Sequence, residues 1–600
     1  MLKNLLSFCL IIIVFFLGPS SVFSEENTQT ISDDTYDNYG VSASHPEAVE
    51  VGMEVLENGG NAVDAAIAVS YALGVVEPFG SGIGGGGEML LLPPDENEPI
   101  VYDYRVTAPS DEDQGNKVSG VPSLVKGLEH IHQDYGLTPF DQLVSPAILL
   151  AKDGFEVDHL LWERLTAASY RLPVEAMPHF FPDGEAIEPG ETLKQEELAK
   201  TLTEIKENGP SAFYDGEISK QVTEAVPYLD EEELKEYEVE VTYPVKGELK
   251  DGTIFSASPP LAGVSIVQSL LLAEKLNIAE TKENKGEFIH LMTEISKITK
   301  NDRITEIGDP SFTDMDIDQL TSAEHIDNLA DQISPSDPSR EAGNDEEHVD
   351  DEHTDTTHFV IIDPDGMVVS ATHTLSNFFG SGKYTAGFFM NNSLENFSNN
   401  SESPNRYEPG KRSRSLTAPT IYTNDERVIG IGSPGGNRIP SVMAQVLARH
   451  FYFDESLEDA VKAKRFYGEN KILYVEDDFT EETLVDVVKK GYDLETRNVS
   501  VYFGGIQALD LNKKDGSING VADGRRGGLW DTKNTLGLLR NFSTLYLDER
   551  KNEMLRAVQM GTEKRRKTLI IIITIIGVCI LGVVGCVGKA VKATRRNKFQ

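Results

Sequence analysis

Residues 356–374 read TTHFVIIDPDGMVVSATHT. Two apolar runs, THFVIID and MVVSATHT, flank Pro364-Asp365-Gly366, and a Pro-Asp-Gly turn between such runs predicts a β-hairpin. The stretch immediately upstream, 334–355, is SPSDPSREAGNDEEHVDDEHTD. Proline, serine, glycine and acids dominate it, so it reads as a solvated linker or flexible chain end. A buried strand starting at Thr356 directly after such a segment is the most unusual junction in the chain.

Outward from that junction the pattern is mixed. Residues 25–40 are polar and predict a disordered leader. From Val51 to Val76 the spacing is helical, broken at Gly59-Gly60, with Ala65-Ala66-Ile67-Ala68-Val69 forming a buried, small-residue helix. Met89–Leu92 and Ile100–Tyr102 predict a strand pair. Helical patterns dominate 123–300, and no internal repeat is apparent.

The two ends predict a membrane address. Lys3, an apolar run from Leu5 to Leu17 and a Val22-Phe23-Ser24 cleavage pattern read as a signal peptide over 1–24. Thr568–Gly588 is uncharged, and as a helix it would extend about 31 Å, enough to cross a hydrocarbon core. Basic residues flank it on both sides, in a juxtamembrane segment at 541–567 and a basic tail at 589–600. The expected arrangement is a single-pass anchor with an extracellular ectodomain, on a surface of Gram-positive type.

The chain has 600 residues, 39% hydrophobic and 25% charged, which is apolar enough to bury a core and excludes disorder throughout. Its net charge of −44 argues against nucleic acid as a partner. Cys9, Cys579 and Cys586 all lie in the terminal apolar runs. The ectodomain between them therefore holds no disulfide framework and no cysteine metal site.

Several motifs have bland readings. Gly82–Gly87 contains G-x-G-x-x-G, but a helix precedes it and a strand follows, the reverse of the dinucleotide fingerprint. Close backbone packing near a site is the better reading. His348 and His353 sit in the acidic run, which lacks a rigid turn for a metal. The G-x-S-x-G elbow of serine esterases does not occur.

Three patches act together: Tyr104-Arg105 with Thr107-Ala108-Pro109, the threonines and histidines of 356–374, and GSPGGNR at 432–438. With SASHPEAVEVGMEVLENGGNAVDAA (42–66) and GVVEPFGSGIGGGG (74–87), they resemble the γ-glutamyltranspeptidase family, in order, over roughly residues 40–535. The resemblance implies an α+β fold of N-terminal-nucleophile hydrolase type, a four-layer αββα sandwich, here with one C-terminal transmembrane helix. It also implies a precursor cut between Asp355 and Thr356, giving a large subunit (41–355, with a flexible end at 334–355) and a small-subunit core (356–540). No cofactor and no metal are implied.

Thr356 would then supply both nucleophile and base. A threonine hydroxyl is weak at neutral pH, and a free α-amino group titrates near 8, close enough to take its proton. By resemblance Thr374 orients the Thr356 hydroxyl, and the backbone N–H groups of Gly435 and Gly436 form an oxyanion hole, a term of about 2.7–4 kcal/mol per donor in other enzymes. Arg105 and Ser415 match the family's contacts to the substrate α-carboxylate.

Three positions depart from the glutathione-cleaving members: Ser376 for an asparagine, Glu395 for the aspartate that holds the α-ammonium, and Leu416 for a second serine. An internal unit of poly-γ-glutamate has no free α-ammonium, so these departures suit a polymer. The short Asn396–Lys411 stretch leaves the groove uncovered. GKRSRS (410–415), GSPGGNR and DGRRGG (523–528) further resemble the capsule poly-γ-glutamate depolymerase/transferase branch, of CapD type. Arg414, Arg438 and Arg526 (or Arg525) are the arginines expected along the polymer. The alternative enzyme is a glutathione-type γ-glutamyltranspeptidase, and a non-catalytic surface scaffold is the reading from another class. Without those two ends the chain carries a net −53, so a polyanionic substrate requires a local basic groove from Arg105, Arg414, Arg438 and Arg526.

Overall fold

A computed structural model describes residues 38–94, 96–339, 354–497 and 500–533. The expected signal segment, most of the acidic run, the expected 568–588 membrane span and the tail lie outside the described residues. Among the described residues no helix is long and apolar enough to cross a membrane.

Strands β1 (Tyr39–Ala43), β2 (Gly86–Leu92), β3 (Ile100–Tyr104), β4 (Glu240–Thr242), β5 (Val245–Leu249), β6 (Gly252–Ser256), β7 (Thr354–Ile362), β8 (Val368–Asn377), β9 (Thr420–Thr423), β10 (Arg427–Gly432), β11 (Gln507–Asn512), β12 (Ile518–Ala522) and β13 (Leu529–Lys533) build two sheets. One runs β13-β1-β7-β8-β2-β3-β4 and the other β12-β11-β10-β9-β6-β5. Every pairing within them is antiparallel. The β7–β8 hairpin lies at the centre of the first sheet, joined by the predicted Pro-Asp-Gly turn.

The period of two explains the layers. On β7, Val360 and Ile362 meet Val368, Ile421, Val428 and Leu509 between the sheets. The alternate residues, Phe359 and Ile361, face outward to Ala65, Ile67 and Val69. Those belong to helix α2 (Ala62–Val76), which follows α1 (Pro46–Glu57) and begins with a capping box between Asn61 and Asp64. On the far side, Ile254, Ile429 and Ile431 meet Val267, Leu270, Ile295 and Val442. These come from α3 (Gly263–Lys275), α4 (Lys285–Glu306) and α5 (Ile439–Phe453). The result is a helix, sheet, sheet, helix sandwich.

Three sequence expectations need adjusting. The leader expected over 25–40 ends earlier, because Tyr39 and Gly40 already belong to β1, hydrogen-bonded between β13 and β7. Strands β4 to β6 interrupt the helical stretch expected across 123–300. Val245 and Gly247 are buried while Lys246 and Glu248 are exposed, so their short alternation was hidden among charges. The acidic run does not begin as a free linker either. The Ser339 N–H donates to Glu294 at 2.8 Å, and the Ser334 carbonyl pairs with His290 Nε2 at 2.9 Å, tying 334–339 to α4.

Candidate active site

Thr356 lies in the central strand β7 with the chain continuous through it, so the backbone of Asp355 pairs with Ser376 and that of Thr354 with Asn377. The register of β7 against β8 shifts between His373 and Ser376. Such a bulge re-aims side chains. Here it turns Thr374 toward Thr356, whose hydroxyl donates to Thr374 Oγ1 at 3.3 Å. Ser376, held at φ 75°, donates its N–H to the same Thr374 oxygen at 2.9 Å. Thr356 itself is buried.

The glycine run packs as the sequence predicts. A Cβ on Gly85 would lie 2.5 Å from the Thr374 carbonyl oxygen, so only glycine lets this loop press against the bulge. On the second sheet, a Cβ on Gly432 would strike the His358 ring at 2.2 Å. That close approach carries the following 433–436 turn over the start of β7. Gly435 has φ 138° and faces Gly504, and Gly436 lines the Thr356 cleft just before α5. Backbone N–H groups at a helix start favour negative charge.

Behind the nucleophile, the hydroxyls of Ser44 and Thr357 both donate to Glu77 Oε2 at 2.6 Å. His358 pairs with Thr372 Oγ1 at 2.9 Å and His373 with the Tyr104 hydroxyl at 2.8 Å. Burial pushes both imidazoles down to about 3, and His373 adds to the effect on His358. Both are therefore neutral at working pH and serve as structural residues.

The cleft is lined by Thr356, Thr374, Ser376, Arg414, Ser415 and Gly436 from the expected set. Arg303, Asn396 and Leu416 join them. Arg105 opens onto an adjoining pocket that shares Thr374, Ser376, Asn396 and Ser415 with the cleft. Its guanidinium is clamped: Nη2 and Nε reach Asp103 at 2.7 and 3.0 Å, and Nη1 donates to the Ser413 carbonyl at 2.8 Å. Burial alone would raise the Asp103 carboxyl, but Arg105 and Arg412 override it and hold it below the usual range.

Not every expected residue reaches the cleft. Glu395 is exposed and accepts from Asn392 Nδ2 at 2.6 Å, and it does not line either pocket. Its neighbour Asn396 does, donating to Ser376 Oγ at 3.0 Å. An amide thus stands beside Ser376, contributed by Asn396. Arg438 stacks on Tyr502, 4.2 Å from the ring centroid. Arg526 is buried against Gly505 and points Nη2 at the Val501 carbonyl, 3.4 Å away. Arg525 is taken up by Glu476 and Asp523. The expected groove of four arginines is therefore split: Arg105 and Arg414 lie at the cleft, Arg438 and Arg526 around the 500–505 segment.

Arg303 is the cation that sequence reasoning missed. It stands on α4 with Lys297 and Lys300 at steps of three, a basic helical face that the spacing alone could have revealed. Arg414 reaches the end of the same helix, donating Nη1 to the carbonyls of Arg303 and Ile304 at 3.1 and 2.6 Å.

Comparison with known proteins shows what the chain is similar to. The Gamma-glutamyltranspeptidase family model matches residues 48–530. The chain is 43% identical to the "Capsule biosynthesis protein CapD proenzyme" of Bacillus anthracis, over 88% of this chain and 98% of that one. It is 31% identical to the "Glutathione hydrolase proenzyme" of Bacillus subtilis (strain 168), over 81% and 90%. In fold it is similar to a cephalosporin acylase from Bacillus halodurans, with a TM-score of 0.76 at 24% identity, covering 86% of this chain and 98% of that one.

Proposed function

The chain belongs to the gamma-glutamyltranspeptidase family, and from that premise we propose that it is a self-processing γ-glutamyl transferase/hydrolase acting on poly-γ-glutamate. The observation that carries the chemistry is the Thr356–Thr374 hydroxyl contact at the floor of a cleft flanked by arginines. The 43% identity to a capsule biosynthesis protein supports the polymer.

Processing comes first. Thr356 Oγ attacks the Asp355 carbonyl, the peptide C–N bond breaks to leave an ester and a free Thr356 α-amino group, and water hydrolyses the ester to release the Asp355 carboxylate and restore the Thr356 hydroxyl. In the mature enzyme that amine takes the hydroxyl proton while Oγ attacks a γ-glutamyl carbonyl. The Gly435 and Gly436 N–H groups stabilise the oxyanion. The proton passes to the departing amine, and the threonyl ester is then opened by water or by another amine. Thr374 orients the nucleophile, Arg105 and Ser415 hold the acyl-side carboxylate, and Ser376 with Asn396 lines its chain. The signal, the 568–588 span and the basic tail belong to the same reading, which sets the enzyme on the outer cell surface.

A second reading, hydrolysis of glutathione-like compounds, is favoured by the 31% identity to a glutathione hydrolase and by the amide that Asn396 contributes. Purified ectodomain assayed on poly-γ-glutamate beside glutathione separates the two. Faster turnover of glutathione would overturn the polymer. On a denaturing gel the wild type should release a fragment of 245 residues beginning at Thr356. Thr356→Ala should stay whole and lose at least about 10³-fold in turnover.

A further inference from the structure

Glu88 is a buried acid that the chemistry at Thr356 does not use. Leu90 and Leu92 face the core between the sheets, and the period of two sets Glu88 on the same face. The ladder places it between Thr372 of β8 and Asp103 of β3, its register partners on either side. Two buried carboxyls therefore stand opposite one another. Asp103 takes Arg105 at 2.7 Å and has Arg412 at 3.7 Å. Those arginines keep Asp103 ionised, and a like charge opposite favours a proton on Glu88.

This row reaches the cleft through one residue. The Thr417 side chain lies close enough to Glu88 to oppose the effect of burial on its carboxyl, although neither Glu88 oxygen completes a hydrogen bond of good geometry. Thr417 Oγ1 pairs with Ser415 Oγ at 3.1 Å, and the Thr417 N–H donates to the same oxygen at 3.4 Å. Thr417 and Ser415 both line the Thr356 cleft, and Ser415 also lines the Arg105 pocket.

We propose that Glu88 is a positioning residue for the acyl-side carboxylate, acting through Thr417 and Ser415. The inference rests on the reading that Arg105 and Ser415 hold that carboxylate. The neutral Glu88 acid donates its O–H to Thr417 Oγ1, Thr417 donates to Ser415 Oγ, and Ser415 keeps its own proton for the substrate. One proton at the buried end thus sets the direction of both hydroxyls. Ionised Glu88 accepts instead: Thr417 turns to it, Ser415 turns to Thr417, and a negative charge stands beside Arg105. Burial raises the Glu88 carboxyl to about 8, Asp103 adds to the rise, and Thr417 and Arg105 oppose it. The other titratable groups of the row are His358, kept neutral by burial, and Glu240, which Arg412 binds. Tyr104, next to Asp103 in the chain, stays protonated. The substrate carboxylate is therefore held below about pH 8 and loosened above it.

Two donors without an α-ammonium isolate the effect: glutaryl-anilide carries the carboxylate and butyryl-anilide does not. Neither titrates between about pH 7 and 9.5. Ionisation of the Thr356 amine acts on both alike and cancels in their kcat/KM ratio. For the processed enzyme the glutaryl-to-butyryl ratio should fall about tenfold across that range, the scale of one charged hydrogen bond. Glu88→Gln, which cannot ionise, should hold the ratio level. Thr417→Val, which keeps the shape and loses the hydroxyl, should lower it about tenfold already at the neutral end. A wild-type ratio that does not change with pH overturns the inference, as does a fall that survives in Glu88→Gln or a neutral-pH ratio unmoved by Thr417→Val. A wild-type ratio near unity at neutral pH would defeat the Arg105–Ser415 reading itself, and this inference with it. Neither donor is a polymer, so failure on poly-γ-glutamate would defeat the polymer reading without moving the ratio.

Discussion

The two flanks of Thr356 are both cationic, but they hold their charge in opposite ways. On one, Arg105 is gripped by Asp103 on two nitrogens, and Asp103 is shared with Arg412 3.7 Å away. Arg412 in turn binds Glu240 at 2.6 Å. Charge there is compensated and direction is fixed, which suits recognition of one carboxylate in one pose. On the other flank, Arg414 donates to backbone carbonyls at the end of α4. That side answers a helix end with positive charge. The contrast is between a clamp and a charged surface.

The largest effect should come from breaking the clamp. Asp103→Asn leaves two buried guanidiniums without their shared carboxylate, and removing one partner of a buried pair destabilises by about 3–5 kcal/mol. Urea denaturation of the processed protein should show it. A loss below about 1 kcal/mol would mean that the arginines, not the aspartate, organise this flank. On the opposite side, Arg414→Met removes two carbonyl contacts and the cap of α4. It should cost about 1–3 kcal/mol, and a larger loss than at Asp103 would invert the comparison.

The smallest effect sharpens the clamp's electrostatics. Glu88 on β2 is fully buried beside Arg105 and Asp103, and burial raises its carboxyl to about 8, tempered by Thr417 and Arg105. Its ordinary value is near 4.5, so between those limits the folded protein holds a proton that the unfolded chain has lost. Stability therefore falls as pH rises through that window. Glu88→Gln should remove this slope, so that its stability relative to the wild type rises between pH 5 and 8. Paired denaturation curves at the two pH values would check it. A difference that does not change with pH would show Glu88 ionised throughout.

Much of the site was legible as local pattern. The hairpin followed from apolar runs around a turn, and the glycine run from its order of helix before strand. The hairpin and the 433–436 turn are each short-range structures, and the packing of the two sheets brought Thr356, Thr374 and Gly436 into one cleft. The misplaced residues were those whose position depends on another segment's fold. Glu395 and Asn396 are neighbours in sequence, yet the short helical turn at Ser393–Asn396 sends one to solvent and the other to the cleft. Arg438 stacks on Tyr502, more than sixty residues away in sequence, and no local spacing reports such a partner.

Sequence by itself determined the junction at Thr356, the apolar ends, the excess of acid and the residue types available for chemistry, because these are properties of neighbouring residues. Only the tertiary structure decided which cations stand beside the nucleophile. The chain offered Arg414, Arg438 and Arg526 in similar basic motifs, and packing kept the first at the cleft and drew the other two to the 500–505 segment. In their place it brought Arg303, carried on a helix that a linear reading had no reason to set against the active threonine. A guanidinium's role depends on which carboxylate, carbonyl or ring lies within a few ångströms of it, and that is settled by the meeting of distant segments.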